Sequence, residues 1–231
     1  MEQVTFGDNL PGFAAGPKGA PAVLVLQEWW GVTDIVKEQA QLISSKGGYR
    51  TLVPDLYKGK IGVDAEEASH LMGKLDFMNA VEEMKAAIAF LKDEGSPKVA
   101  ITGFCMGGAL AFAAASKGLD IACAAPFYGV PDETYFDTTL IKVPVLAQFG
   151  RLDSLKGFSD PERAEANAAK MKAAGCDIEL VFVESGGHGF LNRGIKDGNE
   201  KLSMMKFPLP TQEDVDAAWD RLIGFLGKHL K

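Results

Sequence analysis

The run Val99-Ala100-Ile101-Thr102-Gly103-Phe104-Cys105-Met106-Gly107-Gly108-Ala109-Leu110 passes from apolar, β-rich residues through Gly-x-Cys-x-Gly-Gly into small helix-forming residues. That order describes a nucleophile elbow, a sharp strand-to-helix turn that holds a reactive side chain in a strained conformation, here with cysteine in the place of serine. Side chains two residues either side of the nucleophile would collide in such a turn, which accounts for Gly103 and Gly107. Cys105 then sits at a helix N-terminus, whose partial positive charge favours an anionic sulfur able to attack carbonyl carbon. The backbone N–H of Met106 points where an oxyanion would develop. The competing reading is a Gly-rich turn around an inert buried cysteine, because free cysteine is among the most buried residue types.

An elbow of this kind needs an acid and then a histidine, each at the end of a later strand. Val145 to Phe149 runs through Gly150-Arg151-Leu152 to Asp153, 48 residues past Cys105. Val181-Phe182-Val183 runs through Glu184-Ser185-Gly186-Gly187 to His188, 35 residues further on. Asp153 is placed to orient the imidazole and His188 to act as base; Asp120, Asp137 and Asp160 are the other candidates for the acid. His70 lies in a polar helical stretch and His229 near the C-terminus, where solvated roles are expected. Leu24-Val25-Leu26-Gln27-Glu28-Trp29-Trp30-Gly31 ends a third strand with an acid and two large aromatics. Trp29 is expected to give the second oxyanion N–H, and Glu28 to belong to the site because an acid ending a buried strand needs a partner. Trp30 is divided between substrate contact and core packing.

These residues require a scaffold of buried strands with helices between them. Ala22 to Leu26, Tyr49 to Val53, Val99 to Thr102, Ala122 to Phe127, Val145 to Phe149 and Ile178 to Val183 are apolar enough to be buried on both faces. Ile35 to Ser45, Ala65 to Lys92, Ala109 to Lys117, Pro161 to Ala174 and Glu213 to Leu230 carry apolar residues at helical spacing. The alternation implies an α/β fold with a mainly parallel sheet and helices on both faces. Val4-Thr5-Phe6 and Gly12-Phe13-Ala14, split by Asn9-Leu10-Pro11-Gly12, suggest a short antiparallel start at one edge. Gly189 to Pro210 reads as a long surface loop. Without an interdomain linker or a repeat, residues 1–231 read as one domain.

Hydrophobic residues make up 47% and charged residues 24%, as in a folded domain. The net charge of −7, without a basic cluster, argues against nucleic acid as a partner. No apolar run approaches a membrane span, and the acidic start Met1-Glu2-Gln3 is unlike a signal peptide. Cys105, Cys123 and Cys176, an odd set without C-x-x-C, fit a reducing compartment, and a cytoplasmic location is expected. H-E-x-x-H, P-loop and complete G-x-G-x-x-G motifs are absent, so neither metal nor cofactor is expected.

Gln27-Glu28-x-x-Gly31, Pro54-Asp55-Leu56-Tyr57, Gly103-x-Cys105-x-Gly107-Gly108, Tyr128-Gly129, Asp153 and Gly187-His188-x-Phe190 together resemble the dienelactone hydrolase (carboxymethylenebutenolidase) family. The resemblance implies an eight-stranded α/β-hydrolase fold, cytosolic and without cofactor, that hydrolyses a lactone or carboxylic ester through a thiol acyl-enzyme. It implies the triad Cys105, Asp153 and His188, and a Glu28 that pairs with the resting thiol. Trp30, Tyr128, Phe190 and Arg193 are the expected substrate contacts. Bacterial members hold the substrate carboxylate with two arginines. Between Asp64 and Lys92 this chain has none, and Asn192 stands where the second falls, with Arg193 one residue later. A neutral small-molecule substrate is therefore expected, with the chain a monomer or weak homodimer. Two other readings are a ligand-binding or signalling module on a hydrolase fold and a redox-sensing thiol at Cys105; the latter would call for a nearby resolving cysteine.

Overall fold

The computed structural model describes residues 1–231. Eight strands form one sheet: β1 (Glu2–Phe6), β2 (Leu10–Ala15), β3 (Ala22–Leu26), β4 (Arg50–Pro54), β5 (Val99–Phe104), β6 (Ala124–Phe127), β7 (Val145–Gly150) and β8 (Ile178–Val183). Their order is β1-β2-β4-β3-β5-β6-β7-β8, antiparallel from β1 through β2 to β4 and parallel from β4 to β8. Every residue of β3, β4, β5, β6 and β7 is buried, as near-continuous apolar runs in a covered parallel sheet should be. β8 departs from that expectation. It is an edge strand with Glu179 exposed and Leu180, Val181 and Phe182 half-buried, and the Arg151 guanidinium covers the Phe182 ring.

Helices α1 (Asp34–Gly47) and α7 (Gln212–Leu230) pack together on one face. On the other lie α3 (Phe77–Asp93), α4 (Met106–Ser116) and α5 (Pro161–Ala173). Helix α4 is buried at all of its positions, so its apolar character is all-round rather than confined to a stripe, and it begins at Met106, directly after Cys105. This is the α/β-hydrolase fold. No helix is long and apolar enough to cross a membrane.

Two helical boundaries differ from the sequence reading. The stretch from Ala65 to Lys92 is not one helix: α2 (Ala65–Lys74) stops, and α3 restarts behind Asp76. The Asp76 carboxylate accepts hydrogen bonds from Met78 N (2.9 Å) and Asn79 N (3.0 Å), so an N-cap bond outcompetes the apolar periodicity that runs through it. The long loop expected over Gly189 to Pro210 contains a further helix, α6 (Gly198–Met204), and a 3₁₀ turn over Phe190–Asn192.

The chain reverses direction across the sheet at β3, which lies between β4 and β5. In open α/β sheets the crevice beyond the carboxyl ends of the strands at such a switch point is the usual ligand site. Cys105 follows β5, Glu28 follows β3, Asp153 follows β7 and His188 follows β8, so all four converge at that end. Since Asp76 separates α2 from α3 by capping, Asp76→Ala should lower the unfolding free energy by about 0.5–2 kcal/mol, read from the urea midpoint.

Candidate active site

Cys105 has φ 56° and ψ −117°, outside the regions that ordinary residues occupy, and it is held there by the backbones around it. Its N–H donates to Phe127 O (3.2 Å), and its carbonyl accepts from Gly108 N (2.9 Å) and Ala109 N (3.2 Å). A Cβ on Gly103 would overlap the Gly107 carbonyl, and one on Gly107 would strike the carbonyls of Leu26 and Gln27. The steric reason for the two elbow glycines is therefore met. Gly129 serves the same closure from outside, because a Cβ there would overlap the Cys105 carbonyl. As the first residue of α4, Met106 offers an N–H without an intrahelical acceptor. The Trp29 N–H likewise makes no backbone hydrogen bond.

His188 is buried, and its Nδ1–H is shared between Asp153 Oδ2 (2.8 Å) and Ser159 Oγ (3.0 Å). The second oxygen of Asp153 accepts from Leu155 N (3.0 Å), which fixes the carboxylate. Nε2 is left without a hydrogen-bond partner, and His188 and Cys105 line the same small cavity. The rings of Tyr128 (5.1 Å) and Phe207 (5.2 Å) meet the imidazole edge-on, with Phe158 at 6.0 Å. Burial by itself disfavours the charged ring, but negative charge at Cys105 and the hydrogen bond to Asp153 outweigh it, and the His188 pKa is pushed up to about 10.

The other acids are committed elsewhere. Asp120 pairs with Lys92 at the surface, Asp137 accepts from Thr139 N, and Asp160 caps α5 through Arg163 N (3.3 Å) while accepting from Gly157 N (2.5 Å). His70 is exposed and His229 packs at a tilt against Phe225. Cys123 is fully buried, and burial pushes its thiol up to about 12, so it stays protonated.

Glu28 lines the cavity with Cys105, but its carboxylate bonds to Asn192 rather than to the thiol: Asn192 Nδ2 donates to Glu28 Oε1 (3.1 Å), and Gln39 Nε2 donates to Asn192 Oδ1 (3.0 Å). Burial raises the Glu28 pKa, opposed by the Asn192 bond and by the charges of His188 and Lys201. Trp29 and Trp30 both line the cavity, although Trp30 is only 3% exposed and packs edge-on against Trp29.

Three of the expected substrate contacts sit elsewhere. Tyr128 and Phe190 are fully buried and pack against each other, with Tyr128 directly against the imidazole; they support His188 and do not line the cavity. Arg193 turns away to the Pro210 carbonyl and Gln212 Oε1. The cation that does line the cavity is Lys201 of α6, with Nζ 3.8 Å from the Trp30 ring centroid. Read as a long surface loop, residues 189–210 hide Lys201, and nothing in the sequence pattern around Ser159 marks it as a partner of His188.

The Pro54-Asp55-Leu56-Tyr57 motif acts as a strut. Asp55 accepts from Tyr57 N (3.1 Å) and Gly59 N (2.7 Å), Leu56 N donates to Gln27 Oε1 (3.1 Å), and Tyr57 Oη donates to Met106 Sδ (3.3 Å). The exits of β3, β4 and β5 are thereby tied together behind the cavity.

Residues 10–230 match the dienelactone hydrolase family. The chain belongs to that family. It is similar to the protein usf of Aquifex pyrophilus, 30% identical over 97% of this chain and 95% of the relative. It is also similar to the carboxymethylenebutenolidase of Pseudomonas putida, 28% identical over 80% of each. A solved dienelactone hydrolase-like promiscuous phosphotriesterase from metagenomic libraries has the same fold, with a TM-score of 0.82, 21% identity, and coverage of 100% of this chain and 98% of that one. The chain is accordingly a hydrolase of the dienelactone hydrolase family.

The elevated His188 pKa gives a direct check. Ring resonances of His188 should report an imidazolium that persists until about pH 10. In Cys105→Ser, which removes the negative charge, burial should regain influence and move the ring titration to clearly lower pH. An unmoved titration would mean that the sulfur does not set the charge of the ring.

Proposed function

We propose that this dienelactone hydrolase family member cleaves a lactone or carboxylic ester by way of a thioester on Cys105. The observation that carries the reading is the joining of Cys105 and His188 in one cavity, with the imidazole held by Asp153 at 2.8 Å. The sulfur adds to the ester carbonyl carbon, and the resulting oxyanion is received by the N–H groups of Met106 and Trp29. Collapse of this intermediate breaks the acyl carbon–oxygen bond, and His188 Nε2–H gives its proton to the departing oxygen. With a lactone the alcohol remains tethered to the acyl group; with an ester it leaves. His188, now neutral, takes a proton from water as that water attacks the thioester carbon; the carbon–sulfur bond then breaks, the carboxylic acid leaves, and the sulfur anion and the imidazolium that began the cycle are restored. Asp153 and Ser159 keep Nδ1 engaged throughout, so that Nε2 is the nitrogen that moves protons.

Substrate charge is the second element of the proposal. Arg193 is bound to Pro210 and Gln212, and Arg151 is engaged by Glu165, Glu184 and the Phe182 ring. Lys201 faces the influence of Glu28 across the same small cavity. An acid and a base in one narrow space give a substrate carboxylate little net attraction, so a neutral ester or lactone is the substrate proposed.

Cys105→Ala and His188→Ala should each lower kcat on any accepted ester by on the order of 10⁴. Retention of more than about a tenth of the wild-type rate by either variant sinks the triad assignment. Neutral lactones should be hydrolysed at least as well as their carboxylate-bearing counterparts. A ten- to hundredfold preference for the acid, abolished in Lys201→Met, would instead make Lys201 a carboxylate receptor.

A further inference from the structure

The cavity that holds Glu28, Asn192 and Lys201 is narrow, about 20 Å³, but it is not the only space that reaches the nucleophile. A second hollow of about 230 Å³ also touches Cys105 and His188, and its remaining walls are Trp29, Met72, Leu155, Phe158, Met205 and Phe207. Apart from the reacting pair it is lined by apolar and aromatic side chains alone. A third hollow, of about 280 Å³, shares Met72 and Phe158 with the second. Phe77 at the start of α3, Leu110 and Ala113 of α4, and Val130, Tyr135 and Phe136 of the loop after β6 are among its other walls. Asp132 is its one charged lining residue.

Met72 and Phe77 are half-buried and Tyr135 is 62% exposed, so the hollow leaves a contiguous set of large apolar groups facing water. Exposed apolar concavities of this size mark binding surfaces more often than packing remnants. Its connection to the reacting sulfur is structural as well as spatial. Met106 lines the third hollow with its side chain, pinned by Tyr57, while its N–H stands beside Cys105.

We propose that the two apolar hollows form one subsite for an unbranched hydrocarbon chain carried by the ester or lactone, running from the carbonyl at Cys105 past Leu155 and Phe158 to Phe77 and Phe136. This rests on Cys105 as the nucleophile and adds the substrate class: neutral esters or lactones with a medium-length apolar chain. The chain can be attached through the carbonyl carbon or through the ester oxygen. Each methylene moved from water into such a lining strengthens binding about three- to fourfold.

The test is kcat/KM for two series, p-nitrophenyl alkanoates from acetate to decanoate and alkyl acetates from methyl to octyl, the second followed by acetate release. In at least one series the six-carbon member should exceed the shortest by tenfold or more. Met72→Trp, which narrows the shared wall, and Phe77→Asp, which puts a charge in the third hollow at a helix start that accepts an acid, should each cut that ratio at least fivefold. Because each ratio is taken within one protein, a partly unfolded variant still reports it. A ratio at or below one in both wild-type series overturns the subsite, as does a ratio that both variants leave unchanged. Cys105→Ala separates the two claims: if it is inactive at every chain length while the ratios stay flat, the thioester reading stands and the subsite falls.

Discussion

Around Cys105 the backbones of β3, β5, α4 and the loop after β6 come closer than side chains would permit, and the rest of the site depends on that approach. The Gly103 and Gly107 positions let the elbow fold against the ends of β3 and β5, and Gly129 lets the β6 exit lie on the Cys105 carbonyl. Positive φ at Cys105 is a cost of order 1–3 kcal/mol that the surrounding hydrogen bonds and packing must offset. In return the sulfur is held over the crevice by main chain rather than by rotamer choice. His188, Asp153 and Ser159 then need only be aimed at a fixed point.

The supporting layer behind the site is aromatic and amide rather than charged. Tyr128, itself backed by Phe190, holds the imidazole by packing together with Phe158 and Phe207, and Asn192, held by Gln39, bonds to Glu28. A ring wedged among rings keeps its orientation without competing for Nε2. This is why residues matched by the family resemblance prove to be supports once their burial is known.

Much of this was legible in the sequence, for identifiable reasons. Buried parallel strands are short apolar runs bounded by turns, and β3 and β8 fall where Ala22 to Leu26 and Ile178 to Val183 predict. The elbow announced itself because its sterics demand glycines at fixed offsets from Cys105. The joining of His188 to Asp153 followed from chain order, since each ends a strand on the same side of the sheet. What escaped depends on competition between local and distant forces. Apolar spacing through residues 65–92 hid the Asp76 cap, and the glycines and lysines of residues 189–204 obscured α6, which is held in place by packing of Leu202 and by Gly198 lying on the Asn192 backbone. Lys201 went unseen with it. A side chain's direction, as with Arg193, is set by partners that sequence spacing does not reveal, here Pro210 and Gln212.

Cys105 and its cover lie far apart along the chain. Cys105 comes from the first half, while His188, Met205 and Phe207, which close the space above it, come near the end. At about 5–20 residues per second, a ribosome needs on the order of 5–20 s to make the stretch between Cys105 and Phe207. Throughout that interval the thiol lacks both the imidazole beside it and its roof. A nascent chain of that length offers the Cys105 side chain uncovered, whereas the finished molecule leaves the residue only 9% exposed. That openness belongs to synthesis, and the last fifth of the polypeptide brings it to an end.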